Sequence, residues 1–165
     1  MQSGLAATVR AAQEGDTMAM NALVDELMPY VGRICHGIAL GNGDDAAQDA
    51  LIAILRSLRQ LREPEALRPW ARRIATREAV RTAKRQRTDA WRPSEEVPAP
   101  GRAELGVEIR DQLERMDPEQ RAVLVLRDLE GLSEEEAAQV LNVAQGTVKS
   151  RLHRARARFR REWMA

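Results

Sequence analysis

Residues 132–158 read LSEEEAAQVLNVAQGTVKSRLHRARAR, and the fold is decided there. Ser133-Glu134-Glu135-Glu136 is a capping box: the serine hydroxyl accepts a backbone N–H three residues on, and Glu136 reaches back. A short helix carrying Ala137, Ala138 and Leu141 follows. Asn142 then falls where a tight turn needs a left-handed residue, a conformation Asn tolerates. Val143 is expected to plug the angle between helices. A last helix is predicted from about Gln145 to about Arg161, with Val148, Leu152, Ala155 and Phe159 as one apolar stripe. Lys149, Ser150, His153 and Arg154 lie on the opposite side, and Arg156 and Arg160 continue it. An apolar back with a polar, basic front is the layout of a recognition helix in the major groove. Lysine and arginine there can reach phosphates or guanine edges. The segment reads as a helix-turn-helix that grips duplex DNA; an ordinary helical hairpin with a basic surface is the plainer alternative. With no partnering carboxylate in view, His153 reads as a groove-facing side chain rather than a catalyst.

Upstream, Asp117-Pro118-Glu119-Gln120 is a helix start: Asp caps, and Pro occupies the first turn, where no N–H is needed. Apolar Val123, Leu124, Leu126 and Leu129 follow, and Gly131 stops the helix. Before this block, Thr88–Glu108 holds Pro93, Pro98, Pro100, Gly101 and Gly106 with no helical period. That stretch reads as an extended, solvated linker. Trp91 within it either docks on a partner or folds back onto a domain. The expected organisation is all-α: two small helical domains, 1–87 and 109–165, joined by the linker 88–108.

The first domain opens with an amphipathic segment, Leu5–Gln13. Gly15 ends it, and Asp16 can cap a helix running to about Leu40, with Pro29 a candidate bend. Gly41 and Gly43 break the chain. In the next helix, about Asp44–Leu58, Ala47, Leu51, Ile54, Leu55 and Leu58 share one face at about 100° per residue. Asp45, Gln48, Asp49, Ile52 and Arg56 share nearly the opposite face. This acidic strip framing an apolar Ile52 is either a solvated surface or a docking strip for a basic partner. After the loop Arg62–Glu65 a helix is expected from about Leu67 to Arg87. Ala71, Ala75, Ala79 and Ala83 form a small-residue ridge that permits close packing. Arg73, Arg77, Arg81 and Lys84 form a basic row roughly opposite. Trp70 starts this helix, either as core or as a stacking platform beside the row.

Composition sets the frame for these motifs. Of 165 residues, 44% are apolar and only 3% aromatic, so the core must be built from Leu, Ile, Val, Ala and Met. The net charge of +1 hides strong segregation. Residues 1–55 carry two basic and seven acidic side chains, residues 68–92 nine and two, and residues 146–165 seven and one. Two basic stripes on separate segments are the footprint of a polyanion ligand. The single cysteine, Cys35, excludes an intramolecular disulfide and reads as core, and with His36 it falls short of a metal site. No signal peptide or membrane-length apolar run is apparent, so a cytoplasmic location without membrane insertion is expected. No nucleophile–base pair, Gly-rich phosphate loop or metal cluster stands out, so neither an enzyme nor a cofactor is expected.

In three segments the chain resembles the extracytoplasmic-function group of bacterial sigma-70-type sigma factors, over nearly its whole length. Leu132–Arg158, above all GTVKSRLHRAR, is similar to the group's fourth conserved region. Asp44–Leu58, DDAAQDALIAILRSL, is similar to its polymerase-clamp segment. Trp70–Arg87, WARRIATREAVRTAKRQR, resembles its promoter-melting segment. The resemblance implies that Asp44, Asp45, Gln48, Asp49, Ile52 and Arg56 bind RNA polymerase core at the clamp helices of the largest subunit. It implies that Arg62, Glu63, Trp70, Arg73, Arg77, Arg81 and Lys84 engage the −10 element as it melts. Thr147, Lys149, Ser150, His153 and Arg154 would read the −35 element. The partners implied are promoter DNA, the clamp helices, the flap of the second-largest subunit and, as in many relatives, an anti-sigma factor. Asn42, Arg77, Asn142 and Ala144 depart from the group's usual residues.

The main rival is a one-component helix-turn-helix regulator that binds an operator without polymerase. Such proteins carry a sensor domain, usually with a sheet, and nothing in this sequence reads as one.

Overall fold

The computed structural model describes residues 2–88 and 103–163, and every regular element among them is helical. The first four helices are α1 (Gln2–Gln13), α2 (Thr17–Ala39), α3 (Gly43–Ser57) and α4 (Leu67–Thr88). Asp16 caps α2 as its sequence position predicts, its Oδ1 accepting the Ala19 N–H at 3.0 Å. Gly15 makes the preceding turn at φ +100°. α2 runs through Pro29 and ends in a tight turn, Leu40–Asn42. A Cβ on Gly43 would lie 2.5 Å from His36 Cδ2 and 2.7 Å from its Cα, so only glycine lets α3 leave α2 at this point.

Helices α2, α3 and α4 pack on one another, and α1 lies against α2. Leu23, Leu27, Ile34, Ile38, Ile54, Leu58 and Leu67 are fully buried between them. The Ala71, Ala75, Ala79 and Ala83 ridge of α4 is buried in the same core, as its spacing predicts. The core face of α3 is rotated from the expected one. Ala46 and Ala50 are fully buried, while Ala47 and Leu55 are only half-buried. A helix pressed against two neighbours puts its smallest side chains at the closest approach.

The C-terminal unit contains α5 (Ala103–Glu114), α6 (Pro118–Leu124), α7 (Glu134–Leu141) and α8 (Gln145–Trp163). α5 begins inside the stretch read as linker and runs through Gly106. A single interior glycine costs a helix only about 1 kcal/mol, so it was no stop signal. Residues 89–102, including Trp91, lie outside the described residues. Asp117 caps α6, its Oδ1 accepting the Glu119 N–H at 2.9 Å. Beyond α6 the chain takes a wider π turn, Val125–Leu129, closed by the Glu130 N–H to the Val125 carbonyl at 2.9 Å. The wider turn shifts the helical phase and carries Leu129 to the surface at 66% exposure.

The helix-turn-helix follows as read. Both arms of the Ser133–Glu136 capping box form, at 3.1 and 2.7 Å. Asn142 adopts φ 52°, ψ 48°. Val148 and Leu152 of α8 are buried with Val123, Leu126, Leu132, Ala137 and Ala138, and Val143 packs at the margin of this cluster. The two units are not independent in space. Ala122 and Val125 belong to the core of α2–α4, α6 rests on α2 and α4, and α7 rests on α4.

Candidate polymerase and nucleic-acid interfaces

α3 stands on the bundle with its acidic strip outward. Asp44, Asp45, Gln48, Ile52 and Arg56 are exposed, Ile52 at 42%, and Asp49 is half-exposed. The structure thus places all six residues expected at the clamp on the solvent side of one helix. Two of them also make internal contacts. Asp44 Oδ1 lies 2.9 Å from His36 Nε2, whose Nδ1 lies 2.7 Å from the Gly32 carbonyl. Arg85 reaches Asp49 Oδ2 at 3.4 Å. The α3 surface is therefore a mixed one, carboxylates around an apolar centre with arginine at its border.

On α4 the row Arg73, Arg77, Arg81 and Lys84 is exposed. Arg62 and Glu63 are exposed in the loop before it. Trp70 is half-buried against the α1–α4 core, which favours the packing reading of this residue over a free stacking platform. Glu78 interrupts the row and is buried, pairing with Arg81 at 2.6 Å and lying 3.9 Å from Arg77. It holds those guanidinium groups on one side of α4, a role its place as a lone acid among cations could have signalled. Nearby, Tyr30 carries Arg33 and Arg68 over its ring at 5.5 and 5.9 Å and accepts a hydrogen bond from Arg72 at 2.7 Å. Arg33 is also paired with Glu130 at 3.0 Å and Arg68 with Glu26 at 2.6 Å, so this cluster is a charge-balanced network beside the row read from the sequence.

On α8, Lys149, Ser150, His153 and Arg154 are exposed on one side and Thr147 is half-buried, accepting the Ser150 hydroxyl on its carbonyl at 3.1 Å. Lys149 and His153 also border a groove of about 820 Å³, whose apolar wall includes Leu113, Leu124, Leu129, Leu152 and Phe159. The front of α8 therefore meets two surfaces, the exposed basic face and the edge of an apolar groove.

Among the described residues, Cys35, Arg121 and Glu136 are shifted by their surroundings. Burial, with the nearby Glu78 carboxylate, pushes the Cys35 thiol up to about 12, an inert core thiol. Burial also lowers the Arg121 guanidinium to about 10, still charged at neutral pH. Hydrogen bonds from the Ser133 backbone, then its side chain, hold Glu136 below the ordinary carboxylate value. No group of His, Cys, Asp or Glu among the described residues is arranged to hold a metal ion. No described helix is long and apolar enough to cross a membrane.

Both units match known families. Residues 23–88 match sigma-70 region 2 and residues 106–159 match sigma-70 region 4. The fold is that of CnrH, solved in complex with the cytosolic domain of CnrY, at a TM-score of 0.66 and 24% identity over 93% of each chain. It is likewise that of RpoE from Bartonella quintana, solved with the anti-sigma factor NepR, at 0.68 and 21% identity over 88% of this chain and 96% of that one. In sequence the chain is 36% identical to the ECF RNA polymerase sigma factor SigM of Mycobacterium tuberculosis over 73% of its length, and spans 63% of that relative. It is 31% identical to the ECF RNA polymerase sigma-E factor of Haemophilus influenzae over 91% of this chain and 90% of that one. An acidic helix, a basic helix and a helix-turn-helix in this order, joined to that similarity across both units, place the chain in the extracytoplasmic-function group of the sigma-70 family.

Proposed function

We propose that this chain is a transcription initiation factor that binds RNA polymerase core, recognises the −10 and −35 promoter elements and promotes melting. The observation that carries the reading is the display of three surfaces on one chain: the acidic outer face of α3, the basic face of α4 and the basic front of α8. The α3 strip, Asp44 to Arg56, is assigned to the clamp helices of the largest subunit. Arg62, Glu63, Trp70 and the α4 row are assigned to the −10 element, with Trp70 contributing more as a packing anchor than as a platform. Thr147, Lys149, Ser150, His153 and Arg154 are assigned to the −35 element. The groove lined by Leu124, Leu129 and Phe159 offers an apolar seat for the flap of the second-largest subunit. The units of action are residues 1–87 and 109–165, joined through 88–108. On this reading the chain works in the cytoplasm, by binding rather than by catalysis, without a cofactor, and an anti-sigma factor is a further partner.

The test is to mix the purified chain with core polymerase and genomic promoter fragments and read run-off transcripts. Specific transcripts absent with core alone are expected. No gain over core, together with tight operator binding by the free chain, would return the case to a one-component regulator.

A further inference from the structure

The loop that carries Arg62 and Glu63 is fastened from outside the α3–α4 hairpin. α3 ends in a tight turn, Leu58–Gln60, and Leu61 then leaves the helix at φ −71°, ψ 107°. A helix end leaves its last carbonyls without intrahelical donors. Gln13, at the end of α1, supplies donors at this point. Its Nε2 donates to the Leu58 carbonyl at 2.9 Å and to the Leu61 carbonyl at 2.8 Å. One carboxamide therefore spans the place where the chain turns from helix into loop, using both of its N–H groups. Both bonds are partly buried, and they join residues 45 and 48 positions apart.

The surroundings hold Gln13 in place. Val9 and Ala12 of α1 are buried in the same core as Leu58, Leu61 and Leu67. Pro64 on the far side of the loop is buried, and α1 lies against Pro64–Ala66. A second link from α1, Arg10 to Glu65 at 3.9 Å, is 64% and 60% exposed at its two ends. Exposed pairs of that kind contribute little, so the hold on the loop falls to the amide. Between the fastened Leu61 carbonyl and the buried Pro64 stand only Arg62 and Glu63, both exposed. Gln13 itself precedes residues 23–88, the stretch that matches sigma-70 region 2.

We propose that Gln13 is a positioning residue for promoter recognition: it fixes the loop so that Arg62 and Glu63 meet the −10 element in one geometry. A loop ordered before DNA arrives loses less conformational freedom on binding, and a set geometry discriminates between bases. The inference rests on the sigma reading for the ligand of the loop, whereas the fastening is a property of the free chain and is measured without polymerase.

The experiment uses the full chain with Gln13→Met, which keeps the length of the side chain and removes both donors. In the free chain, the Leu61 amide, bonded to the Leu58 carbonyl, and the Ala66 amide, bonded to the Glu63 carbonyl, report on the loop. Their hydrogen exchange should quicken at least about fivefold, the low end for loss of two hydrogen bonds, with the interior amides of α3 and α4 unchanged. With core polymerase, on a promoter found in the run-off assay, transcription is compared between the native −10 element and its single-base substitutions. That ratio should fall roughly three- to tenfold, part of the discrimination that one base contact carries. Core affinity and the matching ratio for the −35 element should not change. Val9→Ala loosens the packing of α1 but keeps the Gln13 donors, and should leave the −10 ratio as it is. If Gln13→Met loses helical content by circular dichroism, Gln13→Glu, of the same shape without the N–H groups, carries the test by the same readings. Unchanged exchange in the loop, faster exchange with an unchanged −10 ratio, or an equal fall in Val9→Ala overturns the proposal. Absence of specific transcripts from the wild type would remove the sigma reading and with it the ligand of the loop, while the exchange result still decides whether Gln13 fastens it.

Discussion

Single side chains on α3 and α8 should separate the two proposed binding functions. Asp45 is exposed at the start of α3, so Asp45→Arg should leave the fold intact and weaken core binding at least about tenfold, or about 1.4 kcal/mol. Lys149→Ala with Arg154→Ala should leave core binding unchanged. It should reduce −35-dependent transcription about 10- to 100-fold, since a bidentate base contact is worth about 1–3 kcal/mol. Competition binding to core and run-off assays on the same preparations read both effects; a double variant that lost core binding would disprove the division. Arg121 was invisible as a key residue because its buried N–H reaches the Ile38 carbonyl, eighty-three positions away, and only its other two acceptors, Leu113 and Met116, are near in sequence. Arg121→Ala leaves three carbonyls without that donor and should cost about 2–4 kcal/mol in urea unfolding. Arg121→Lys should rescue little of this, since one ammonium cannot reproduce the planar fork.

At the level of elements, what the sequence disclosed was local. The caps at Asp16, Asp117 and Ser133 and the left-handed Asn142 each depend on residues within a few positions, and each formed as read. The alternation of small and charged residues on α4 was legible for the same reason. What the sequence did not disclose depended on neighbours in space: Ala46 and Ala50 entered the core in place of Ala47 and Leu55 because α2 and α4 approach α3 closely, and a π turn after α6 left Leu129 exposed. On the helix-turn-helix, Ser133→Ala should cost about 1 kcal/mol and lower the melting temperature by about 2–4 °C. Asn142→Ala should cost about 1–2 kcal/mol and Asn142→Gly almost nothing, because only the first meets the left-handed steric penalty. The capping box also has a pH signature. Glu136 is held below its ordinary pKa, so its contribution is complete above about pH 4.5 and fades as pH falls through the lowered folded value. Denaturation of the Glu136→Gln variant should be less acid-sensitive in that window; an unchanged acid limb would mean the box does not couple to stability.

At the scale of the whole molecule, the question is whether one core or two melt. The cluster formed by Val123, Leu126, Leu132, Ala137, Ala138, Val148 and Leu152 is small, the kind of core that gives a domain little stability alone. Ala122 and Val125 tie its elements to the larger α1–α4 core, and Arg121 bridges to Ile38. If that junction couples the units, calorimetry at about 50 mM salt should show a single transition, with calorimetric and van't Hoff enthalpies agreeing. Raising salt to about 500 mM shortens the screening length toward about 4 Å and should weaken the exposed ion pairs between the units, Arg33–Glu130, Lys84–Glu119 and Arg87–Asp117, selectively. The C-terminal unit should then melt first as a separate, smaller transition, and Gly37→Leu should produce the same split at low salt, because a Cβ at Gly37 of α2 would already stand 2.8 Å from Val125 Cγ2. Two transitions in the wild type at low salt would show that the units touch without cooperating. A single transition in Gly37→Leu would show that Val125 is not the coupling point. Coupling through a few exposed pairs and one glycine-permitted contact lends the small helix-turn-helix core the stability of the larger one, so loss of the junction should appear as early melting of the C-terminal unit while the α1–α4 bundle keeps its own transition.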